Sequence, residues 1–232
     1  MGILQAADDA EDPQGGMVVF DNVHMSYPTR QGTKHVFRGL SAVFPARRRV
    51  GILGRNGAGK STLLSLVCGA LEPDYGRIVR PTGSVSWPIG LVGVTRSHLT
   101  AVDNIRFVSR IYGVDWRDVF DYVADFSELG RDLWNPISTY SGGMRQRFNV
   151  GLALAIQFDW YLMDEALSAG DPRFRERTAQ ALAARVGQVS LLMVSHVPRN
   201  VRQYCDTAAL LLDGRLYFFD DTEEAIRAYN EM

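Results

Sequence analysis

The sequence predicts an α/β fold whose central sheet is parallel and into which a helical lobe is inserted. Short apolar strand patterns alternate with amphipathic helical patterns along most of the chain, an order typical of parallel sheets covered by helices. A glycine-rich loop stands directly after one strand pattern and directly before one helical pattern. From about residue 95 to residue 155 the patterns are helical and no convincing strand is found, which indicates the lobe.

Six strands and six helices are predicted from these patterns. The strands are expected at Met17–Phe20, Arg49–Leu53, Tyr161–Asp164, Ser190–Ser195, Ala208–Leu212 and Arg215–Phe219. The helices are expected near residues 60–71, 103–112, 115–128, 143–157, 172–186 and 222–230. Residues 1–16 are acidic and end in a Pro- and Gly-containing stretch, so we expect a flexible tail. The folded domain is then 17–232, with the helical subdomain at about 95–155.

Length and composition favour one ordinary globular domain without a nucleic-acid partner. The 232 residues are enough for one sizeable core, and 46% are hydrophobic and 22% charged. The formal net charge is -1, whereas a groove that neutralises phosphates usually leaves an excess of Lys and Arg. The two cysteines, Cys68 and Cys205, have no metal-type spacing and are expected to be buried reduced thiols.

The sequence predicts no membrane span and no secretory signal. The longest uninterrupted apolar runs are well under the roughly 18 to 20 residues that a spanning helix needs. The first residues are acidic rather than cationic and are not followed by an apolar stretch. If the chain acts at a membrane, another subunit must hold it there.

The glycine-rich loop has the pattern GxxxxGKS and the strand and helix context of a nucleotide-binding phosphate loop. Glycines let the backbone wrap closely around phosphate oxygens, and the amides at the helix N-terminus supply partial positive charge. The lysine reaches the outer phosphates and the serine hydroxyl can ligate Mg²⁺. The alternative is a purely structural turn. The predicted nucleotide-binding residues are Gly54, Asn56, Gly57, Ala58, Gly59, Lys60, Ser61 and Thr62.

Two adjacent carboxylates at the end of an apolar strand are predicted to complete the phosphate site. Asp164 ends the run Trp160–Asp164 and is placed to hold the metal through water, together with Ser61. Glu165 follows directly and is the candidate base that polarises the attacking water. An acidic pair after a strand is weak evidence by itself, but it gains weight from the phosphate loop upstream.

A Ser-Gly-Gly sequence precedes a helical pattern between these two elements. A serine hydroxyl, bare amides and a helix dipole can bind an anion at Ser141, Gly142 and Gly143. The same residues would also serve as an ordinary helix cap after a loop. The residues alone leave both interpretations open.

In this order, the motifs resemble the nucleotide-binding domain of ATP-binding cassette (ABC) proteins over about residues 17–232. The resemblance implies a P-loop NTPase core of ABC type, a RecA-like mixed sheet flanked by helices with an inserted α-helical subdomain. It also implies ATP and Mg²⁺ as cofactors and a head-to-tail homodimer. In such a dimer Ser141, Gly142 and Gly143 of one chain close over the ATP held by Lys60 of the other.

The resemblance assigns further positions. Tyr27 stands where an aromatic side chain stacks on adenine, and His196 resembles the switch histidine that hydrogen-bonds the γ-phosphate. Residues 168–171 resemble the loop that crosses the dimer interface, with Gly170 where Leu is common. Arg96 stands where the family usually has a Gln near the metal. A guanidinium cannot ligate Mg²⁺, so Arg96 is assigned no catalytic role.

Within the family, the segments around Ser86–Leu91, Asp103–Val108 and Tyr140–Ser141 are similar to capsular polysaccharide exporters of Gram-negative bacteria. This resemblance implies an ATP-hydrolysing motor at the cytoplasmic face of the inner membrane. It implies a homodimer bound to two copies of a transmembrane permease, with the polysaccharide contacted mainly through the permease and no nucleic acid involved.

Two other classes are weighed against the transporter motor. A soluble cassette ATPase that remodels DNA or ribosomes generally has tandem cassettes, a coiled-coil insertion or a basic surface, and the sequence has none of these. A phosphate-loop kinase for a small metabolite would leave residues 141–143 as a mere helix cap. Dimerisation on ATP distinguishes the kinase from the transporter motor.

Overall fold

The computed structural model describes residues 16–30, 32–89, 94–164, 171–184 and 188–232. Over these ranges the chain forms two sheets, seven α-helices and two short 3-10 helices. The strands are β1 Val18–Thr29, β2 Gly32–Phe44, β3 Arg49–Leu53, β4 Tyr75–Val79, β5 Val85–Ile89, β6 Trp160–Asp164, β7 Ser190–Ser195, β8 Thr207–Leu212 and β9 Arg215–Phe219. The helices are α1 Lys60–Val67, α2 Ala101–Tyr112, α3 Trp116–Ser127, α4 Gly142–Ala155, α5 Pro172–Ala183, α6 Pro198–Tyr204 and α7 Thr222–Asn230. The 3-10 helices are Gly130–Trp134 and Ile137–Thr139.

The larger sheet has six strands in the order β5-β6-β7-β3-β8-β9. Its neighbours pair in parallel except for β9, which is antiparallel to β8. Every residue of β6 and β7 is buried, which explains why both strands are continuous apolar runs in the sequence. The predicted α/β fold with a parallel centre is therefore confirmed.

The smaller sheet is antiparallel, with the order β2-β1-β4. The sequence predicts only the first residues of β1 and misses β2, β4 and β5. In β2 the first four positions are exposed, so that the strand starts without the apolar alternation by which half-buried strands are recognised. β1 is interrupted by register shifts between Phe20 and Val23 and between Met25 and Ser26, and such bulges break the period of two.

The helices lie close to their predicted positions. The predicted helix 60–71 ends earlier, at Val67, and Gly69 follows with a φ of 74°. The predicted helix 172–186 is seen as Pro172–Ala183, and residues 185–187 lie outside the described ranges. α6 was not predicted, because its seven residues are too few to show a helical period. In the described part of the chain, no helix is both long and apolar enough to cross a bilayer.

The core consists of two apolar clusters on opposite faces of the six-stranded sheet. Ile52 belongs to the cluster shared with α1 and the smaller sheet, whereas its neighbour Leu53 belongs to the cluster shared with α2 to α7. This division follows from the alternation of side chains along a strand. The segment between α3 and α4 contributes Leu133 and Ile137 to the cluster that contains Leu53. Both clusters fix the central sheet, whose strand ends carry the site described below.

The two cysteines differ in burial. Cys205 is buried and Cys68 is half-buried, and both are free thiols. The expectation of buried reduced thiols is therefore correct for Cys205 and wrong in its burial for Cys68, which is the C-cap of α1 and is only partly covered by the apolar cluster against which it packs. Burial raises the pKa of the Cys205 thiol well above its ordinary value.

Candidate nucleotide site

Three neighbouring parallel strands bring the predicted site residues to one edge of the larger sheet. Leu53 at the end of β3 lies opposite Ser195 at the end of β7, and Asp164 at the end of β6 lies opposite Val194. The loop after β3, the carboxylate of β6 and the turn after β7 therefore start side by side. Ligands of α/β sheets bind at this carboxyl edge.

The glycine-rich loop is tightly wound between β3 and α1. Gly57 and Gly59 have φ values of 82° and 105°, a region that side chains strongly disfavour. A Cβ atom on Gly59 would stand 2.5 Å from Val36 Cγ1, and one on Gly54 would stand 3.0 Å from the Leu211 carbonyl oxygen. Glycine is therefore required in this loop for two reasons: the positive φ values and the close approach of β2 and β8.

Lys60 holds its ammonium group across this loop. The residue begins α1 and is only 6% exposed. Its Nζ donates hydrogen bonds to the carbonyl oxygens of Gly54 at 2.8 Å and Arg55 at 3.1 Å. The ammonium therefore lies within the ring of loop atoms that would surround a phosphate.

Ser61 and Asp164 are in direct contact although 103 positions separate them in the sequence. The Ser61 hydroxyl donates a hydrogen bond of 2.7 Å to Asp164 Oδ2. Asp164 is 9% exposed and ends a fully buried strand. A hydroxyl and a carboxylate oxygen at one point are donors that suit Mg²⁺, so the residues present fit this ion.

A cleft of about 480 Å³ opens beside the loop. The Tyr27 hydroxyl and Thr62 Oγ1 are 3.2 Å apart at its border. Lys34 and Val36 were not predicted as site residues, and they line the cleft because Tyr27 pairs with Lys34 in the β1–β2 hairpin. A turn pattern between Tyr27 and Lys34 was the sequence feature from which this hairpin could have been predicted. The residues lining the cleft are Tyr27, Lys34, Val36, Asn56, Gly57, Gly59, Lys60, Ser61, Thr62 and Asp164.

His196 lies directly after β7 at the same sheet edge and is exposed. The turn is fixed by Ser195 Oγ, which accepts from the Val197 amide at 3.0 Å. The Tyr229 hydroxyl donates to the His196 carbonyl oxygen at 3.4 Å. His196 is not among the described residues that line the cleft, so its predicted contact with the γ-phosphate stays a prediction.

The remaining predicted catalytic residue, Glu165, lies outside the described residues, as do residues 168–170 of the predicted interface loop. The chain is described again from Asp171, whose side chain caps α5 by accepting from the Phe174 amide at 2.9 Å. The role of Glu165 as base therefore stays a prediction.

Ser141 is the N-cap of α4, and its hydroxyl accepts a hydrogen bond of 3.2 Å from the Met144 amide. Gly142 and Gly143 are exposed, and the space around their Cα atoms is open. The Ser141 hydrogen bond agrees with the interpretation of these residues as an ordinary helix cap, whereas exposed amides at a helix N-terminus agree with anion binding. Ser141 and Gly143 line a second cleft of about 350 Å³, so one chain does not bring them to the phosphate loop.

Tyr140 anchors the residue before this cap. Its hydroxyl donates to the Asp132 carbonyl oxygen at 2.7 Å, and its ring packs against Phe148 with centroids 6.3 Å apart. Burial raises the pKa of Tyr140 to about 12. The start of α4 is therefore tied to the 3-10 segment before it.

Arg96 is exposed at the start of the helical region. Its backbone amide donates to Asn104 Oδ1 at 2.6 Å, and Asn104 Nδ2 donates back to the Arg96 carbonyl oxygen at 3.0 Å. Asn104 is fully buried. The structure therefore fixes the Arg96 backbone and leaves its side chain in solvent.

Comparison with known proteins decides the family. The family profile described as ABC transporter matches residues 37–168, more than half of the chain and the range that contains the phosphate loop, the Ser-Gly-Gly cap and Asp164. The chain belongs to the ABC transporter family. The resemblance drawn from the motifs is thereby confirmed, and the chain is an ABC-type ATPase that binds ATP.

Three relatives of this ABC protein align with nearly all of it. The capsule polysaccharide export ATP-binding protein CtrD of Neisseria meningitidis serogroup B is 41% identical over 93% of this chain and 100% of its own length. The ATP-binding protein BexA of Haemophilus influenzae is 40% identical over 93% and 99%. The polysialic acid transport ATP-binding protein KpsT of Escherichia coli is 38% identical over 92% and 96%.

Solved structures support the ABC fold. The ATP-binding subunit of an ABC transporter superposes with a TM-score of 0.74 at 20% identity, covering 92% of this chain and 93% of that one. A bacterial ABC transporter cassette described as dimeric superposes with a TM-score of 0.72 at 22% identity, covering 86% and 96%. ATP-binding domains of this family act as dimers with transmembrane subunits.

Proposed function

We propose that this ABC ATPase is the motor subunit of a polysaccharide exporter, with capsular polysaccharide as its cargo. The observation that carries the proposal is the near full-length similarity to CtrD and KpsT, whose names state capsule polysaccharide export and polysialic acid transport. The cargo itself leaves no chemical trace in the nucleotide site, because it is contacted mainly through the permease.

The proposed assembly is a homodimer of this chain with two copies of a transmembrane permease, at the cytoplasmic face of the bacterial inner membrane and without nucleic acid. Residues 17–232 act as the nucleotide-binding domain and about 95–155 as its helical subdomain. A groove of about 460 Å³ between α1 and α2, lined by Trp87 and Tyr112, supports a permease contact. Ile111, which precedes Tyr112 in α2, is 60% exposed, as expected for an apolar side chain that a partner covers.

In each chain, the proposed site residues bind and orient the nucleotide and activate the attacking water. Lys60 already lies within the loop and can exchange its two carbonyl partners for β- and γ-phosphate oxygens. Ser61 and, through water, Asp164 would hold Mg²⁺, which would supply positive charge against the γ-phosphate. Glu165 accepts the proton of the attacking water, and His196 donates a hydrogen bond to the γ-phosphate.

The second chain supplies the other half of the site. The two clefts of one chain are separate, one lined by Lys60 and the other by Ser141 and Gly143. The open amides at the start of α4 have the polarity to stabilise an anion. A head-to-tail pair therefore places them over the γ-phosphate of the partner's ATP.

A hydrolysis-deficient variant tests this shared site. Glu165→Gln should remain bound to ATP and form a dimer on addition of MgATP, which light scattering after size exclusion measures. The matched control is Glu165→Gln with Ser141→Ala, which should bind ATP as a single subunit and dimerise at least 10-fold more weakly, because one helix cap contact to the phosphate is lost. If Glu165→Gln stays monomeric at saturating MgATP, alone and with the permease, the proposal is wrong.

A further inference from the structure

Charged side chains from three helices meet beside the Ser141 cap. Arg147 lies on α4, Glu128 directly follows α3, and Asp171 is the N-cap of α5. Arg147 forms an ion pair with Asp171 through Nη2, and its Nη1 is 3.8 Å from Glu128 Oε2. These three side chains line the same cleft as Ser141 and Gly143. We call Arg147, Glu128 and Asp171 the three-helix junction.

Two arginines of α5 also contact Glu128 but form no ion pair with Asp171 in the part of the chain that the structure describes. Arg177 and Arg173 lie 3.2 Å and 3.4 Å from Glu128 Oε1. Arg177 also pairs with Asp125 of α3. The α3–α5 contact thus has two arginines of its own, whereas Arg147 connects α4 to the α5 N-cap.

Asp171 has two simultaneous tasks in this arrangement. Its Oδ1 accepts from the Phe174 amide at 2.9 Å and caps α5, while Oδ2 accepts from Arg147. The Phe174 amide and the Arg147 guanidinium hold the pKa of Asp171 below its ordinary value, so the carboxylate is charged at neutral pH. Through Asp171, Arg147 of α4 is therefore connected to the N-cap of α5.

Aromatic packing makes the junction stiff. The Phe126 ring of α3 meets the Phe174 ring of α5 edge to face, with centroids 5.5 Å apart. The Arg147 guanidinium lies 5.7 Å from the centre of the Phe174 ring. α4 approaches α3 closely here, because a Cβ on Gly151 would stand 3.2 Å from Phe126 Cδ1. Because these side chains are closely packed, a displacement of one helix cannot be accommodated by side-chain movement alone.

We propose that Arg147 is a positioning residue for ATP hydrolysis, which ties the Ser141 end of α4 to the Asp171 end of α5 so that both adopt the productive orientation together. Arg147 follows Ser141 by six positions on one helix, and Asp171 follows Glu165 by six positions in the chain. The pair thus links the element that contacts the partner's nucleotide to the segment that carries this chain's base. This inference rests on the proposed shared site.

If Arg147 and Asp171 formed only an ordinary surface ion pair, its loss would not be expected to lower kcat. Solvent-accessible ion pairs contribute little to stability, so a pair with no role at the nucleotide site would leave kcat unchanged when it is lost. Arg177 provides the matched comparison, because it is as accessible as Arg147, with side-chain exposures of 32% and 27%, and contacts Glu128 too. It lies on α5 and contributes no ion pair to α4 among the described residues.

The test uses the full chain assembled with its permease and measures kcat and KM for ATP together with ATP binding by the single subunit. Arg147→Gln and Asp171→Asn should each lower kcat about 10-fold with KM and single-subunit binding within about twofold of the parent. Asparagine keeps the helix cap of α5 and removes only the charge. The double variant should be no worse than either single variant, because both remove one interaction. Arg177→Gln should keep kcat within about twofold.

Two outcomes would overturn the inference. Equal losses of kcat in Arg177→Gln and Arg147→Gln, or additive losses in the double variant, would assign the effect to general stability or to separate causes. Arg147→Lys keeps the charge with a single donor head and should give an intermediate kcat, so it carries the test if Arg147→Gln does not fold. Failure of the proposed function is a separate result: the parent assembly would hydrolyse no ATP, and Glu165→Gln would not dimerise.

Discussion

Lys60 contacts two carbonyl groups of its own loop, and these contacts hold the ammonium within the ring of loop atoms. Such a group loses little freedom on binding, because the loop glycines and the buried lysine stem fix its position. Ser61 and Asp164 show the same preorganisation through their hydrogen bond of 2.7 Å. At the scale of single residues, contacts within the loop and with β6 therefore fix the groups that face the phosphates.

Removing the Lys60 ammonium should weaken ATP binding strongly. A hydrogen bond to a charged group contributes about 1.5 to 3 kcal/mol, so Lys60→Ala should raise the Kd for ATP by about 10- to 150-fold in the single subunit. Isothermal titration calorimetry measures this. Ser141→Ala is the control and should leave the Kd unchanged, since Ser141 lines the other cleft. A large effect of Ser141→Ala on binding by a single subunit would assign that serine to the chain's own nucleotide.

At the scale of elements, β3 is held at its start by an ion pair. Arg49 begins the strand, and its Nε lies 3.1 Å from both carboxylate oxygens of Asp206, just before β8. The Asp206 amide donates to the Arg49 carbonyl oxygen at 2.8 Å. The hydrogen bond from Arg49 holds the pKa of Asp206 below its ordinary value. The strand that leads into the phosphate loop is thus fixed at its far end.

The stability of this element should depend on pH. Because the folded pKa of Asp206 is lowered, its contribution is present above the unfolded pKa of about 3.9 and is lost as the pH falls through the folded pKa. Asp206→Asn should therefore cost about 1 kcal/mol of unfolding free energy at pH 7, and the difference should shrink toward pH 3. Urea unfolding at several pH values measures it.

The matched control for this experiment is Asp21→Asn. Its pair with Arg77 spans 3.9 Å between side chains that are more than half exposed, so its loss should change stability by less than about 0.5 kcal/mol at any pH. A pH-independent deficit in Asp206→Asn would mean that the hydrogen bonds, and not the charge, hold β3.

At the scale of the whole molecule, the chain should associate with membranes only through its permease. Ile111, an exposed apolar side chain next to Tyr112 in α2, belongs to the proposed permease surface. After co-expression with the permease, the chain should sediment with membranes, and Ile111→Asp should reduce that fraction at least fivefold. The expected reason is a charge placed in a desolvated contact.

Tyr75→Asp is the control for this fractionation. Tyr75 is 66% exposed on β4, in the smaller sheet, so its replacement should leave the membrane fraction unchanged. ATP binding by the single subunit should be intact in both variants. Equal membrane association of Ile111→Asp and the parent would place the permease contact elsewhere.

Most of the larger sheet was predictable, and most of the smaller sheet was not. β6 and β7 are buried on both faces, so their apolar runs are visible without any partner. β2 begins exposed and β4 is exposed at four of five positions, and such strands are specified by pairing with β1 rather than by their own pattern. The hairpin nevertheless decides which residues stand opposite Tyr27.

The sequence by itself determined the phosphate loop, because the residues from Gly54 to Thr62 act as one contiguous backbone segment whose chemistry is local. Together with the Ser-Gly-Gly motif and the acidic pair, in that order, the loop also indicated the family. Asp164 could also be predicted from the sequence, since it ends a run of apolar residues that form a buried strand. Only the tertiary structure decided that Lys34 and Val36 line the cleft and that Arg147 meets Asp171. Strand pairing and helix packing bring those residues together across long stretches of chain, and a linear pattern carries no record of such distances.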